Sequence, residues 1–221
     1  MGIVAGSATK TGKLGWVIGH PVPNILASIN AFQLGAQSVN PGVTTYVTVT
    51  NAWLDPPQEQ SAVRSLAADG ADVLTMIVDS PVTVVRTADE LGLKSIGFHC
   101  LCLQGVAGNG WLTGVGFEWG GLFTEMARDV MAGTWKSEDK IGGIAEGSAR
   151  IAPYAAEVSP ETRSRVEKAK LALISGELRL FTGPVYDNHG RVVIPEGQSA
   201  DVAKLIGTTD YLVQGVVGQL K

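Results

Sequence analysis

Between Gly12 and Phe98 the chain alternates four times between a short apolar run and a longer stretch with helical spacing, and this rhythm limits the fold more than any other feature. "KLGWVIG" (Lys13–Gly19) reads as a buried strand. It is followed by "PNILASINAFQLGAQSVNP", in which Ile25, Ile29, Phe32, Ala36 and Val39 recur at helical spacing, with Pro23 ahead of them and Asn40-Pro41-Gly42 behind. "TTYVTVT" (Thr44–Thr50) has the β-branched composition of a second strand. Asp55 is an N-cap with Pro56 at the first helical position and Gln58 three residues after the cap, so a helix is expected from there to Asp69-Gly70. "DVLTMIV" (Asp72–Val78) is the third strand. Ser80-Pro81 repeats the cap-plus-proline device and opens a helix that ends at Gly92, and "KSIGF" (Lys94–Phe98) is the fourth strand. Strands this apolar are covered on both faces, and strands joined through helices run parallel. With right-handed crossovers the expectation is an α/β fold with a Rossmann-like, doubly wound parallel sheet.

The second half is less regular. "WLTGVGFEW" reads as a fifth strand. "GGLFTEMARDVMAG" reads as a helix with Leu122, Phe123, Met126 and Val130 turned inward and Gly133 closing it. "SPETRSRVEKAKLALISG" is a helix capped by Ser159, begun by Pro160 and ended by Gly176. "FTGPVYDNHGRVVIPEG" is a hairpin turning at Asn188-His189-Gly190, which leaves His189 in solvent without a function. "KSEDKIGGIAEGS" is a surface connection.

A length of 221 residues suits one large domain or two small ones. A net charge of −4 with no basic run disfavours nucleic acid as a partner. The opening "MGIVAGSATKTGK" has neither the charged region nor the apolar run of a signal peptide, and no stretch reaches the length of a membrane span. Cys100 and Cys102 are the only cysteines. Two residues apart in an extended segment they would point the same way, which argues against a disulfide between them, and they read as small core fillers. The spacing is wrong for structural zinc, and no metal or cofactor is expected. "IGHPVPN", after the first strand, is neither a dinucleotide fingerprint nor a P-loop, and no G-x-S-x-G elbow is present.

Ligands of open parallel sheets sit outside the carboxyl ends of the strands. The residues there are His20 after the first strand, Asn51 and Trp53 after the second, Asp79 and Ser80 after the third, His99 after the fourth and Trp119 after the fifth. Imidazole, indole, amide, carboxylate and hydroxyl groups on one rim suit a flat ligand with polar edges. Each also has a plainer reading. His20 precedes Pro21 and would be a turn residue, Trp53 would pack under its loop, and Asp79 would sit at a helix start favoured by the dipole. Ser80 would be the cap, and His99 a satisfied, half-buried histidine.

The strings "GKLGWVIGHPVPNILASINAFQLGAQSVNP", "TNAWLDPPQE", "GADVLTMIVDSP", "MAGTWKSED", "FTGPVYDNHGRVVIPEGQ" and "YLVQGVVGQL" resemble the basic membrane protein family along essentially the whole chain. These are purine nucleoside- or nucleobase-binding proteins that serve ABC importers. The resemblance implies a type I periplasmic-binding-protein-like fold of two Rossmann-like lobes, with the ligand trapped between them as a hinge closes. It also implies export, often with a lipid anchor, an ABC permease as partner, and no catalysis.

Against the family pattern the chain looks like the C-terminal lobe plus crossover segments. On that reading 1–12 is a remnant of an N-terminal-lobe helix, 13–117 the ligand-binding lobe, and 118–221 the returning helix, the long helix and the hairpin that complete the lobes. The surface facing the missing lobe would then expose apolar area and invite a homodimer, and binding by the chain alone would be weak. Trp53 and Asp79-Ser80, in "DSP", carry over as site residues. His20 stands where family members often have Phe. Gly97-Phe98-His99 stands where they typically have Gly, an aromatic residue and an Asp that holds ribose hydroxyls or the base edge. A neutral imidazole offers one donor or acceptor and cannot replace that charged acceptor, so a free purine base, or another small planar heterocycle, is expected over a nucleoside. Two readings from other classes compete: a hydrolase or lyase using His20, Asp79 and His99 as an acid–base set, and a ligand-sensing effector domain, which would need a DNA-binding appendage.

Overall fold

The computed structural model describes residues 1–218. Its first half runs α1 (Gly2–Ala8), β1 (Lys13–Ile18), α2 (Pro23–Gln37), β2 (Thr44–Val49), α3 (Pro56–Ala68), β3 (Val73–Ile77), α4 (Pro81–Glu90) and β4 (Lys94–Gly97). Two short 3-10 turns lead to β5 (Trp111–Phe117) and α5 (Trp119–Ala132). Then come β6 (Ala149–Ile151), α6 (Pro160–Ser175), β7 (Val185–Tyr186), β8 (Val192–Ile194), α7 (Val202–Thr208) and β9 (Val216–Val217). The main sheet has the order β6-β5-β4-β3-β1-β2-β9. Every pair is parallel except β5 with β6, so the doubly wound expectation holds. Strand ends fall a residue short of the sequence reading, as termini commonly do.

The helical crossovers make the sheet parallel and cover both its faces, so β1 and β3 are buried along almost their whole length. Leu14, Trp16 and Ile18 of β1 enter one buried cluster with Ile25, Ile29 and Phe32 of α2. Val17, between them, faces the other way into a second cluster with Val63 and Leu66 of α3, Leu74 and Met76 of β3, and Val84 of α4. Burying side chains of this kind stabilises by roughly 1.5–3 kcal/mol each, on both faces of the sheet. Pro23 is the first residue of α2 and does not precede it, which matches Pro56, Pro81 and Pro160, each at the start of a helix where no N–H is needed. Helix α1 packs on α2 and α6, with Val4 and Ala5 buried.

The C-terminal segment returns to the sheet through a buried polar clasp. Asn30, on α2, donates from Nδ2 to the Tyr211 carbonyl (2.9 Å) and accepts at Oδ1 from the Val213 amide (2.9 Å). Leu212, Val213 and Val216 are buried behind it, and β9 pairs with the edge of β2. The hairpin β7–β8 is antiparallel, and His189 at its turn is exposed. The last three residues of the 118–221 span lie outside the described residues. Among the described residues no helix is long and apolar enough to cross a membrane.

Helix α5 departs from expectation. Leu122, Phe123, Met126 and Val130 were to face inward, yet no residue of α5 is buried, and Phe123 and Val130 are 62% and 61% exposed. The amphipathic pattern is present, since Trp119, Phe123, Met126 and Val130 share one stripe. What it lacks, among the described residues, is an element packed against it.

Candidate ligand-binding site

The strands run 5-4-3-1-2 across the sheet. The order in which strands are added therefore reverses between the parallel neighbours β1 and β3, and the crevice of a doubly wound sheet opens at such a switch point. The loop carrying His20 lies on one side of it, and the loop carrying Asp79 and Ser80 on the other. Along the rim Trp119, His99, Asp79-Ser80, His20 and Asn51 follow the strand order, while the loop after β2 carries Trp53 back over the end of β1 to the side of Asp79. With about 4.8 Å between strands, the row from β5 to β2 spans roughly 19 Å, so one planar ligand touches a subset centred on the switch point.

Beside β1, Trp53 is 41% exposed, and its ring lies 4.9 Å from that of His20 in an edge-on arrangement at 67°. The indole can approach because Gly19 lies beneath it: a Cβ there would come within 2.8 Å of Trp53 Cε3 and 2.9 Å of the Ala52 carbonyl oxygen. Gly19→Ala is therefore expected to displace Trp53 and weaken ligand binding several-fold without unfolding the chain. A ligand titration run alongside a thermal melt checks this. Asn51, at φ 56°, takes the left-handed turn that starts this loop, a conformation Asn adopts more readily than most residues. The Asp79 amide donates to the Trp53 carbonyl (2.7 Å), so the Trp53 and Asp79 loops run side by side.

Ser80 does not cap α4 as expected. Its hydroxyl donates to Oε1 of Glu59 (2.7 Å), a fully buried carboxyl in the first turn of α3. The same Oε1 accepts the Asp55 amide (3.2 Å). Asp55 caps α3 as expected, through the Gln58 amide (3.0 Å), but the Gln58 side chain donates to Asp55 Oδ2 (2.7 Å) and does not reach back to the backbone. Glu59 makes that return contact. The sequence reading missed it, and its only signal was a glutamate one residue beyond the usual box position.

On the β4 side, His99 has φ 71°, again left-handed. Its imidazole lies 4.5 Å from the Phe98 ring and 6.1 Å from Phe117, both edge-on. Phe117 continues to Trp119 at 5.5 Å, and Trp119 stacks on Phe123 at 6.2 Å. Phe98, Phe117 and Phe123 extend the aromatic wall beyond the expected residues. Their signal was aromatic clustering around the fifth strand's end. Partial burial pulls the His99 pKa below its ordinary value, with the Asp79 carboxylate acting in the opposite direction. Among the described residues neither His20 nor His99 comes within ion-pairing distance of Asp79, so the three share a rim without forming an acid–base dyad.

Cys100 and Cys102 are joined in a disulfide, against expectation, and Cys102 is exposed and not a core filler. Cys100 is still extended, but the 3-10 turn Leu101–Gly105 begins at the residue between the cysteines and brings the two Cα atoms to 5.1 Å.

A doubly wound sheet with aromatic and polar side chains over its switch point can hold a small ligand there. The model of the family Bmp, ABC transporter substrate-binding protein PnrA-like, matches residues 1–179, and the chain belongs to that family. The chain is 34% identical to a purine-binding protein of Brucella abortus over 99% of its own length and 61% of that protein's. It is 29% identical to a putative ABC transporter glucose-binding protein of Haloferax volcanii, over 99% of this chain and 53% of that one. The chain thus spans somewhat over half the length of these relatives. A solved ABC transporter solute-binding protein from Conexibacter woesei superimposes with a TM-score of 0.65 at 26% identity, covering 81% of this chain and 60% of that one.

Proposed function

We propose that this chain is the ligand-binding part of a substrate-binding protein serving an ABC importer, and that its rim takes a free purine base or a close planar analogue. The carrying observation is the row of aromatic rings and single polar groups across the β1/β3 switch point. The Brucella relative's name speaks for a purine, the Haloferax relative's for glucose. The rim favours the purine. A sugar asks for acceptors around a ring of hydroxyls, whereas the exposed side chains here are mostly flat rings, with one carboxylate at Asp79 and one amide at Asn51. His99 supplies an uncharged partner, which suits a base edge better than a pair of ribose hydroxyls.

On this reading Asp79 and Asn51 bind ligand edges, Ser80 holds the Asp79 loop through Glu59, Trp53 and Trp119 cover the ligand's faces, and the protein binds without turnover. It works outside the cytoplasm, delivers to a permease and is held at the membrane. The Cys100–Cys102 disulfide is in keeping with an oxidising compartment. Residues 13–117 form the binding lobe. The apolar stripe of α5 meets a second lobe in a protein of the relatives' length, and pairs with a second copy in the chain taken alone.

Ligand-observed NMR, which reads weak affinities, tests the assignment with adenine, guanine, hypoxanthine, their nucleosides and glucose. Bases are expected to bind ahead of nucleosides, and glucose not at all. A preference for nucleosides overturns the base assignment, and a preference for glucose overturns the purine. The affinity has an expected pH profile as well. Because the His99 pKa is depressed, its neutral, accepting form persists below the usual histidine value of about 6.5. Affinity for adenine should be flat above that value and fall as pH drops through the lowered pKa. A His99→Gln variant should lose the fall.

A further inference from the structure

We propose that Glu59 is the positioning residue of the rim, fixing the separation of the loop that bears Trp53 from the loop that bears Asp79. The inference rests on the reading of that rim as a purine site. Two links join these loops. One is the backbone bond from the Asp79 amide to the Trp53 carbonyl (2.7 Å). The other is Glu59 Oε1, which receives the Asp55 amide (3.2 Å) from one loop and the Ser80 hydroxyl (2.7 Å) from the other. With the first link alone, the loops could pivot about a single hydrogen bond. With both, the Trp53 and Asp79 loops are fixed side by side on one wall of the crevice.

Three features speak for a positioning role. Glu59 is fully buried, so it touches no ligand directly. Among the described residues its second oxygen, Oε2, is buried with no partner, a costly arrangement for a residue kept only to fill space. The Ser80 hydroxyl forgoes capping α4 to reach it, leaving the Ser80 carbonyl to receive the Thr83 amide (2.9 Å) at that helix start.

The test compares Glu59→Ala, Glu59→Gln and Ser80→Ala in the full chain, with two readouts. The first needs no ligand: hydrogen exchange of the Asp79 amide. It should quicken by about tenfold in Glu59→Ala and Ser80→Ala and stay close to the parent in Glu59→Gln, whose amide oxygen still accepts. The second is adenine affinity, which should fall about tenfold in both alanine variants, no further in their double combination, and recover in Glu59→Gln. Unchanged Asp79 exchange in both alanine variants overturns the proposal, as does a Glu59→Gln variant as damaged as Glu59→Ala or additive losses in the double. If Glu59→Ala fails to fold, Ser80→Ala and Glu59→Gln decide. If the parent chain binds no purine, the reading of the rim fails, and the exchange comparison alone decides the role of Glu59.

Discussion

Asn30→Ala is expected to lower the stability of the chain by about 3 kcal/mol and to loosen the segment that ends in β9. The side chain is buried in α2 and satisfies two backbone groups more than 180 residues away, at Tyr211 and Val213. Alanine leaves both without this partner, the Val213 amide in a buried position and the Tyr211 carbonyl in a part-buried one, at about 1–3 kcal/mol for each group. The loss would reach further than the pair. Leu212, Val213 and Val216 owe their burial to the same docking, and β9 covers the open edge of β2. For a chain of this size a 3 kcal/mol loss lowers Tm by roughly 6–12 °C. Calorimetry and limited proteolysis would read the two effects, the second as new cleavage between Thr209 and Gly218. A Tm within about 2 °C of the parent with unchanged cleavage would show that the clasp contributes little.

Trp53→Ala is expected to weaken purine binding by about 10–100-fold, the worth of one aromatic stacking partner. The same change should barely move Tm, because the indole is partly exposed and rests on a loop beside His20, outside both buried clusters. Trp53→Phe should recover most of the affinity, since a smaller ring still offers a face. Calorimetric titration of adenine against the three proteins decides it. Equal affinity in Trp53→Ala would move the site away from the switch point, and a matching fall in Tm would make Trp53 a packing residue.

The sheet was legible because its physics is local. β1 and β3 are buried almost throughout, their buried residues are apolar apart from Thr75, and each is followed by a capped or proline-started helix, so strand, helix and direction could be read one segment at a time. The rim positions followed from the same reading, since His20, Trp53, Asp79 and His99 are simply the residues that come after each strand. What stayed hidden depends on partners distant in sequence. The pattern of α5 showed an apolar stripe but not whether anything meets it. Ser80 fits an ordinary capping role and Glu59 lies one residue beyond one, and only their proximity across two loops brings the two together. Cys100 and Cys102 looked unable to pair because the backbone between them was taken as extended. β9 is two residues long, and its place is set by Asn30, far away in the chain.

The left-handed backbone at His99 narrows what this position can become. Residues that visit that region at low cost are Gly, Asn, Asp and His, whereas a β-branched or bulky side chain would strain the turn. Selection at this corner of the crevice therefore draws on a short, mostly polar alphabet: a carboxylate, an amide, an imidazole or nothing. Switching between them would change charge and hydrogen bonding at this corner while the strand behind it stays as it is, so under the proposed function one substitution that the scaffold tolerates would change the preferred ligand.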